Sequence, residues 1–182
     1  MRNFLALCGI SCLLSFTGFL FSQWKIIPAN AKVKFFIKEG SGYEEGVFTG
    51  IKGDIRFDPA QPEKAVIAAT IDVKTINTGI EMRDESLRSK DFFEADKYPN
   101  ITFKSTTVSR TDTGFVAAGR LTIKKTSRDI QLPFTFSQTD TAGLFKGGFT
   151  MNRHDYGVGS KDDGVGSEIR VVLEIPVAKT GQ

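Results

Sequence analysis

The chain has 182 residues, enough for one domain with a sizeable core. Its 24 Lys and Arg against 21 Asp and Glu leave a formal charge of +3. The basic residues are scattered rather than gathered into a run or stripe, which argues against a nucleic-acid ligand.

At the N-terminus Arg2 precedes an uncharged stretch over residues 4–21, the pattern of an export signal. Ser22 suits a cleavage site, whereas Leu20 two positions earlier is larger than such sites favour. The expected division is a signal peptide over 1–22 and a single domain over 23–182, with an uncleaved membrane anchor as the alternative. Both cysteines, Cys8 and Cys12, fall in this leader, so the exported chain would hold no disulfide and no thiolate metal ligand. Gly9-Ile10-Ser11 is a poor match to a lipidation box ahead of Cys12.

Beyond the leader the dominant pattern is apolar–polar alternation in short runs bounded by Gly, Asp, Pro and Asn, as in half-buried antiparallel strands. Eight such runs span 32–38, 47–57, 65–73, 100–108, 114–123, 129–137, 144–152 and 168–177. Strand follows strand without intervening helices, which excludes a doubly wound parallel sheet and predicts an all-β, roughly eight-stranded antiparallel barrel. One segment departs from alternation. Thr78-Gly79-Ile80-Glu81 has capping-box spacing, and Met82, Arg83, Leu87 and Arg88 recur at helical intervals, so a short helix is predicted near 79–90.

Residues two apart in a strand share a face. Val33, Phe35 and Ile37 align, as do Ile51, Ile55 and Phe57, then Ile67, Ile71 and Val73. Ile101 and Phe103 follow, then Phe115, Leu121 and Ile123, and then Ile130, Leu132, Phe134 and Phe136. Phe145, Phe149 and Met151 precede Ile169, Val171, Leu173 and Ile175. The opposite faces carry Lys34, Arg56, Lys104, Arg120, Lys146 and Arg170 among others, so each strand has one wet side. An inward surface this aromatic can make a filled core. It can equally line a cavity, since an eight-stranded barrel is wide enough for one small ligand.

The catalytic vocabulary is thin. A single histidine, His154, sits beside Asp155 in a loop-like stretch over 153–166, with no cysteine outside the leader and no second His at metal-ligand spacing. Asp155, Asp162 and Asp163 lack the spacing of a calcium loop and read as a solvated acidic loop. Gly157, Gly159, Gly164 and Gly166 follow no strand-to-helix turn, so they read as hairpin punctuation rather than a phosphate cradle. No catalytic residue, metal or cofactor is expected.

Several short motifs occur in a fixed order: Trp24-x-x-x-Pro28-Ala29, Phe48-Thr49-Gly50-Ile51-x-Gly53, Phe57-Asp58-Pro59 and Ile71-Asp72-Val73. The densest is Arg83-Asp84-x-x-Leu87-Arg88-Ser89-x-Asp91-Phe92-Phe93, ahead of Lys97-Tyr98-Pro99-x-Ile101-Thr102-Phe103. Gly119-x-Leu121-Thr122-Ile123, Thr126-x-Arg128 and Arg153-x-Asp155-Tyr156-Gly157 complete the series. In these residues the chain resembles the YceI-like proteins, exported lipocalin-like barrels that bind polyisoprenoids or related lipids. The chain departs from that pattern at Ile27, Asn30-Ala31, Ser86 and Lys124-Lys125, where relatives usually carry Asp, His-Ser, His and Gly.

The resemblance implies a carrier or store of an amphiphilic lipid, whether polyisoprenoid, quinone-like or fatty-acyl, in a periplasmic or secreted setting. Its chain would touch Val33, Phe35, Ile55, Phe57, Ile71, Ile101, Phe103, Leu121, Ile123, Phe134, Phe136, Phe149, Met151, Val171 and Leu173. Arg83 and Leu87 would contribute from the helix. The competing functions are an enzyme acting on an envelope lipid and a structural or adhesive barrel with a solid core. The residues leave the oligomeric state open, a homodimer included.

Overall fold

The computed structural model describes residues 22–180; the leader, with Cys8 and Cys12, lies outside them. The first strands are short: β1 (Gln23–Ile26), β2 (Lys32–Glu39), β3 (Gly42–Phe48), β4 (Ile51–Arg56), β5 (Val66–Asp72) and β6 (Ile76–Asn77). After helix α1 (Glu81–Arg88) the strands lengthen: β7 (Asn100–Thr111), β8 (Gly114–Ile123), β9 (Thr126–Gln138), β10 (Ala142–Asn152) and β11 (Val165–Thr180). All pairings are antiparallel, in the order β1-β4-β5-β7-β8-β9-β10-β11, and β11 returns to β1 to close an eight-stranded barrel.

Interrupted strands explain how eleven segments make eight staves. Strands β1 and β2 lie end to end along β11, Ile26 opposite Val177 and Val33 opposite Leu173. Pro28 starts the 3₁₀ turn between them; it lacks an N–H and could not continue the ladder. Beside that break, β3 gives way to β4 at Gly50, whose N–H bonds Thr75 Oγ1 at 2.9 Å. A Cβ on Gly50 would lie 2.6 Å from the Thr75 methyl, so the close approach admits only glycine. Strands β5 and β6 are parted in turn by a 3₁₀ turn over Val73–Thr75, where the Asp72 side chain accepts from the Lys74 N–H. Beyond these breaks β2, β3 and β6 form an upper tier whose edge, β6, pairs with β3. Helix α1 and the turns leading to Asn100 occupy the space between β6 and β7.

Two features of the sequence reading need correction. Strand β1 and the first part of β3 fell outside the eight runs, because β1 is four residues long and β3 opens with Gly42-Tyr43-Glu44-Glu45-Gly46, which shows no apolar alternation; the run 47–57 joined the end of β3 to β4. Helix α1 falls within the segment predicted near 79–90, but the capping box does not form. Ile80 is its N-cap and makes no side-chain cap bond. Thr78 instead donates its hydroxyl and its N–H to Asp84 Oδ1, at 2.6 and 2.8 Å.

The barrel's lower end is filled by aromatic rings. Phe57 is fully buried, and its ring meets those of Phe115, Phe134, Phe136 and Phe145 at centroid distances of 5.0 to 5.5 Å. Trp24 packs edge-on against Phe136 at 5.2 Å and donates its indole N–H to the Phe57 carbonyl at 2.9 Å. Edge-to-face pairs of this kind add to the area term, so this end is a solid plug.

Candidate functional site

Above the plug the barrel interior opens into a cavity of about 380 Å³. Each stave contributes side chains from its inward face: Val33 and Phe35 from β2, Ile55 from β4, and Ile71 from β5. The next staves add Ile101 and Phe103 from β7, Leu121 and Ile123 from β8, and Phe134 from β9. Phe149 and Met151 of β10, Val171 and Leu173 of β11, and Arg83 and Leu87 of α1 complete the expected set that lines it. Phe57 and Phe136, expected beside them, are not among the lining residues and belong to the plug.

Burial distinguishes a lined cavity from a filled core. Phe35, Phe103, Phe149, Met151, Val171 and Leu173 point inward yet are only partly buried. An inward aliphatic or aromatic side chain in a filled interior would be buried on all sides. These side chains have neighbours on the stave side and open space on the other.

The sequence reading did not place Phe48, Phe92, Phe93 or Ala69 in the lining. Phe92 and Phe93 reach it from the turns after α1, where no strand periodicity exists to assign a face; only their place in the densest motif marked them. Phe35 lies over Gly46 on the adjoining strand, where a Cβ would come within 2.1 Å of the ring. Gly53, Gly119 and Gly147 likewise permit tight backbone contact, with a Cβ at each falling 2.3 to 2.6 Å from a carbonyl oxygen of the next strand. They serve strand packing, and of the three Gly147 also borders the cavity.

The upper rim is polar. Glu39 and Glu44 sit on the inward face of the β2–β3 hairpin and border the cavity with Thr78, Arg83 and Ser86. Arg83 bridges the helix to this hairpin: its Nη1 donates to Glu44 Oε2 at 2.5 Å, with Glu39 at 4.0 Å. Its Nε and Nη2 donate to the Thr78 hydroxyl at 2.9 Å and carbonyl at 3.2 Å. The helical neighbours Glu81 and Asp84 do not pair with it: Arg88 takes Glu81 at 2.6 Å, and Asp84 is held by Thr78. Arg83→Lys keeps one charge but cannot reproduce this fork. It is therefore expected to loosen α1 from the hairpin, read as faster amide hydrogen exchange over Glu81–Arg88 with little change in melting temperature; unchanged exchange would give the Arg83 bridge the value of an exposed ion pair.

A second arginine was not singled out from sequence. Arg153 is 3% exposed and borders the cavity. Its Nη2 and Nη1 donate to Asp163 Oδ1 and Oδ2 at 2.5 and 2.8 Å. Its remaining N–H groups reach the carbonyls of Gly166, Val158 and Val165 at 2.8 to 3.0 Å and of Ser160 at 3.4 Å. The stretch expected to be a solvated acidic loop is thus folded around a buried guanidinium. Hydrogen bonds from Arg153, aided by those from the Val165 and Ser160 N–H groups, hold the Asp163 carboxyl below the usual carboxylate range. Gly157 and Gly164, with φ of 67° and 77°, make the turns.

Lys124, in the Lys124-Lys125 pair that departs from the family's usual glycine, has a positive φ of 53°. Its Nζ donates to the carbonyls of Phe92 at 2.7 Å and Gly157 at 2.9 Å, tying the post-helix turns to the Arg153 loop. His154 Nε2 lies 3.0 Å from the Ser160 carbonyl and is not among the lining residues. Among the described residues no group of three or more His, Cys, Asp or Glu could hold a metal ion.

The YceI-like domain model matches residues 24–177. A UPF0312 protein of Photorhabdus laumondii is 31% identical over 134 residues, covering 72% of this chain and 70% of that protein. One from Yersinia enterocolitica is 27% identical over 80% of each. Of solved structures, BcnA of Burkholderia cenocepacia superposes with a TM-score of 0.79 at 28% identity, over 83% of this chain and 98% of that one. A Saccharophagus degradans domain described as polyisoprenoid-binding shares the fold, with a TM-score of 0.69 at 14% identity, over 86% of this chain and 98% of its own. With a closed eight-stranded barrel, a lined interior and a domain match across nearly all the described residues, the chain belongs to the YceI-like family.

Proposed function

We propose that the protein binds an amphiphilic lipid, with the chain in the barrel cavity and the head group at the rim between the β2–β3 hairpin and α1. The observation that carries this reading is the set of inward side chains that face open space instead of packing. Left unfilled, these apolar walls face water or void instead of partner atoms and forgo the stabilisation of burial. Each methylene placed there contributes about 0.8 kcal/mol, so a chain-like ligand removes the deficit. A polyisoprenoid is the ligand put first, in keeping with the description of the Saccharophagus degradans domain; quinone-like and fatty-acyl chains satisfy the same lining. The inward charges of the β2–β3–α1 rim are Glu39 and Glu44 against Arg83, which suits a head group without negative charge.

Carriage or storage, rather than catalysis, fits the rim chemistry, because Arg83, Thr78, Asp84, Arg153 and Asp163 are engaged with one another. Occlusion tests the reading. Ala69 borders the cavity, and Ala69→Phe would project a ring into it. Saturable binding of a fluorescent polyprenol to the wild type, lost in Ala69→Phe while the far-UV circular dichroism is kept, is the expected result. Equal binding by both would place the ligand elsewhere.

Export belongs to the same proposal: the expected cleavage after Ser22 leaves Gln23, the first residue of β1, at the new N-terminus. Intact-mass measurement of protein from the envelope fraction should show loss of about the first 22 residues; the full-length mass there would indicate a retained anchor.

A further inference from the structure

Among the described residues three large apolar side chains are exposed: Tyr43 at 75%, Ile80 at 52% and Met82 at 78%. Exposed apolar residues scattered singly are ordinary. These are not scattered. Tyr43 precedes Glu44 in the β2–β3 hairpin, and Ile80 and Met82 open α1 on either side of Glu81, Met82 directly before Arg83. The Arg83–Glu44 bond at 2.5 Å therefore brings the three to one end of the barrel, on both sides of the bridge over the cavity mouth. The opposite end is the aromatic plug.

We propose that this rim is a membrane-docking surface, by which the protein rests its open end on a lipid bilayer to load and release its ligand. The inference rests on the lipid-binding reading above, and it specifies where exchange occurs. A chain that gains from burial in the cavity would lose that gain in crossing water, so the mouth is where a lipid surface must lie. Tyr and Met suit such a contact, because an amphipathic ring settles at the head-group level and a flexible thioether enters the acyl boundary. A second protein copy fits less well, because a stable interface buries roughly 800 Å² per partner and three side chains do not supply it. Weak, reversible contact is what a carrier requires.

Charge defines the kind of bilayer. On α1 the carboxylates Glu81, Asp84 and Glu85 outnumber Arg83 and Arg88, and in the facing hairpin Glu39, Glu44 and Glu45 stand against Lys34 and Lys38, the latter opposite Tyr43. Six carboxylates against four basic side chains leave no positive excess at the rim to seek anionic lipid. Docking is thus expected on zwitterionic phosphatidylcholine vesicles and to persist at high salt, where charge-driven binding is screened.

The test is flotation of the exported chain with phosphatidylcholine vesicles, wild type against Tyr43→Ser/Met82→Ser, with Ile80→Ser as an independent variant. Lipid content, melting temperature and light scattering are measured on the same samples. The expected result is a vesicle affinity at least roughly tenfold lower in the double variant, slower polyprenol loading, and unchanged melting and equilibrium lipid content. Equal flotation of wild type and variants would overturn docking while leaving lipid carriage intact, as would a wild-type dimer that the double variant converts to monomer without any vesicle binding. A wild type that floats but never takes up lipid would uphold docking and sink the carrier reading.

Discussion

Arg153→Ala is expected to lower unfolding stability by about 3–5 kcal/mol, the usual cost of removing one partner from a buried ion pair. The cost has two sources in this barrel. Asp163 would lose both guanidinium bonds, and the carbonyls of Val158, Val165 and Gly166 would lose their donor together. Arg153→Lys would recover part of the charge and little of the geometry, since one ammonium cannot span six acceptors. Urea unfolding measures both, and a loss under about 1 kcal/mol for Arg153→Ala would assign the pair the value of an exposed one.

The same pair fixes an acid limit. Asp163 has its folded pKa depressed below an unfolded value near 4. Its contribution is therefore fully present above that unfolded value and is lost as pH falls through the folded one. Stability measured from pH 5 down to pH 2 should fall less steeply in Asp163→Asn than in the wild type.

Phe57→Ala should cost about 3–5 kcal/mol as a truncation in a filled core, because four other phenylalanine rings close on that side chain. Phe103→Ala removes the same ring from the cavity wall, where one side already faces open space or ligand. It should cost distinctly less and lower lipid occupancy instead. Chemical denaturation paired with quantitative lipid extraction separates the two: equal destabilisation with no change in occupancy would mean that the upper interior is as solid as the lower.

That contrast marks how far the sequence was legible. Alternation placed Phe35, Phe57, Phe103 and Phe136 on inward faces alike, since period two assigns a face but not a height along the stave. Height decides whether a ring joins the plug or the wall, and it follows from register, such as Phe145 opposite Phe136 and Phe149 opposite Val171. Arg83 stood out because its motif is dense, yet its partner Glu44 lies 39 residues away in a strand without apolar alternation. Arg153 passed unremarked because a buried guanidinium has no periodic signature; its motif was visible, its burial was not. The closed barrel was legible because eight staves repeat one simple pattern.

The central claim is that the open interior holds a lipid chain. Solvent extraction and mass spectrometry of protein purified from the envelope fraction without detergent test it most directly. The account predicts a chain-like lipid recovered in near-stoichiometric amount, and the same lipid depleted in Ala69→Phe. Folded wild-type protein that yields no lipid, and whose melting temperature does not rise when polyprenol is added, would contradict it.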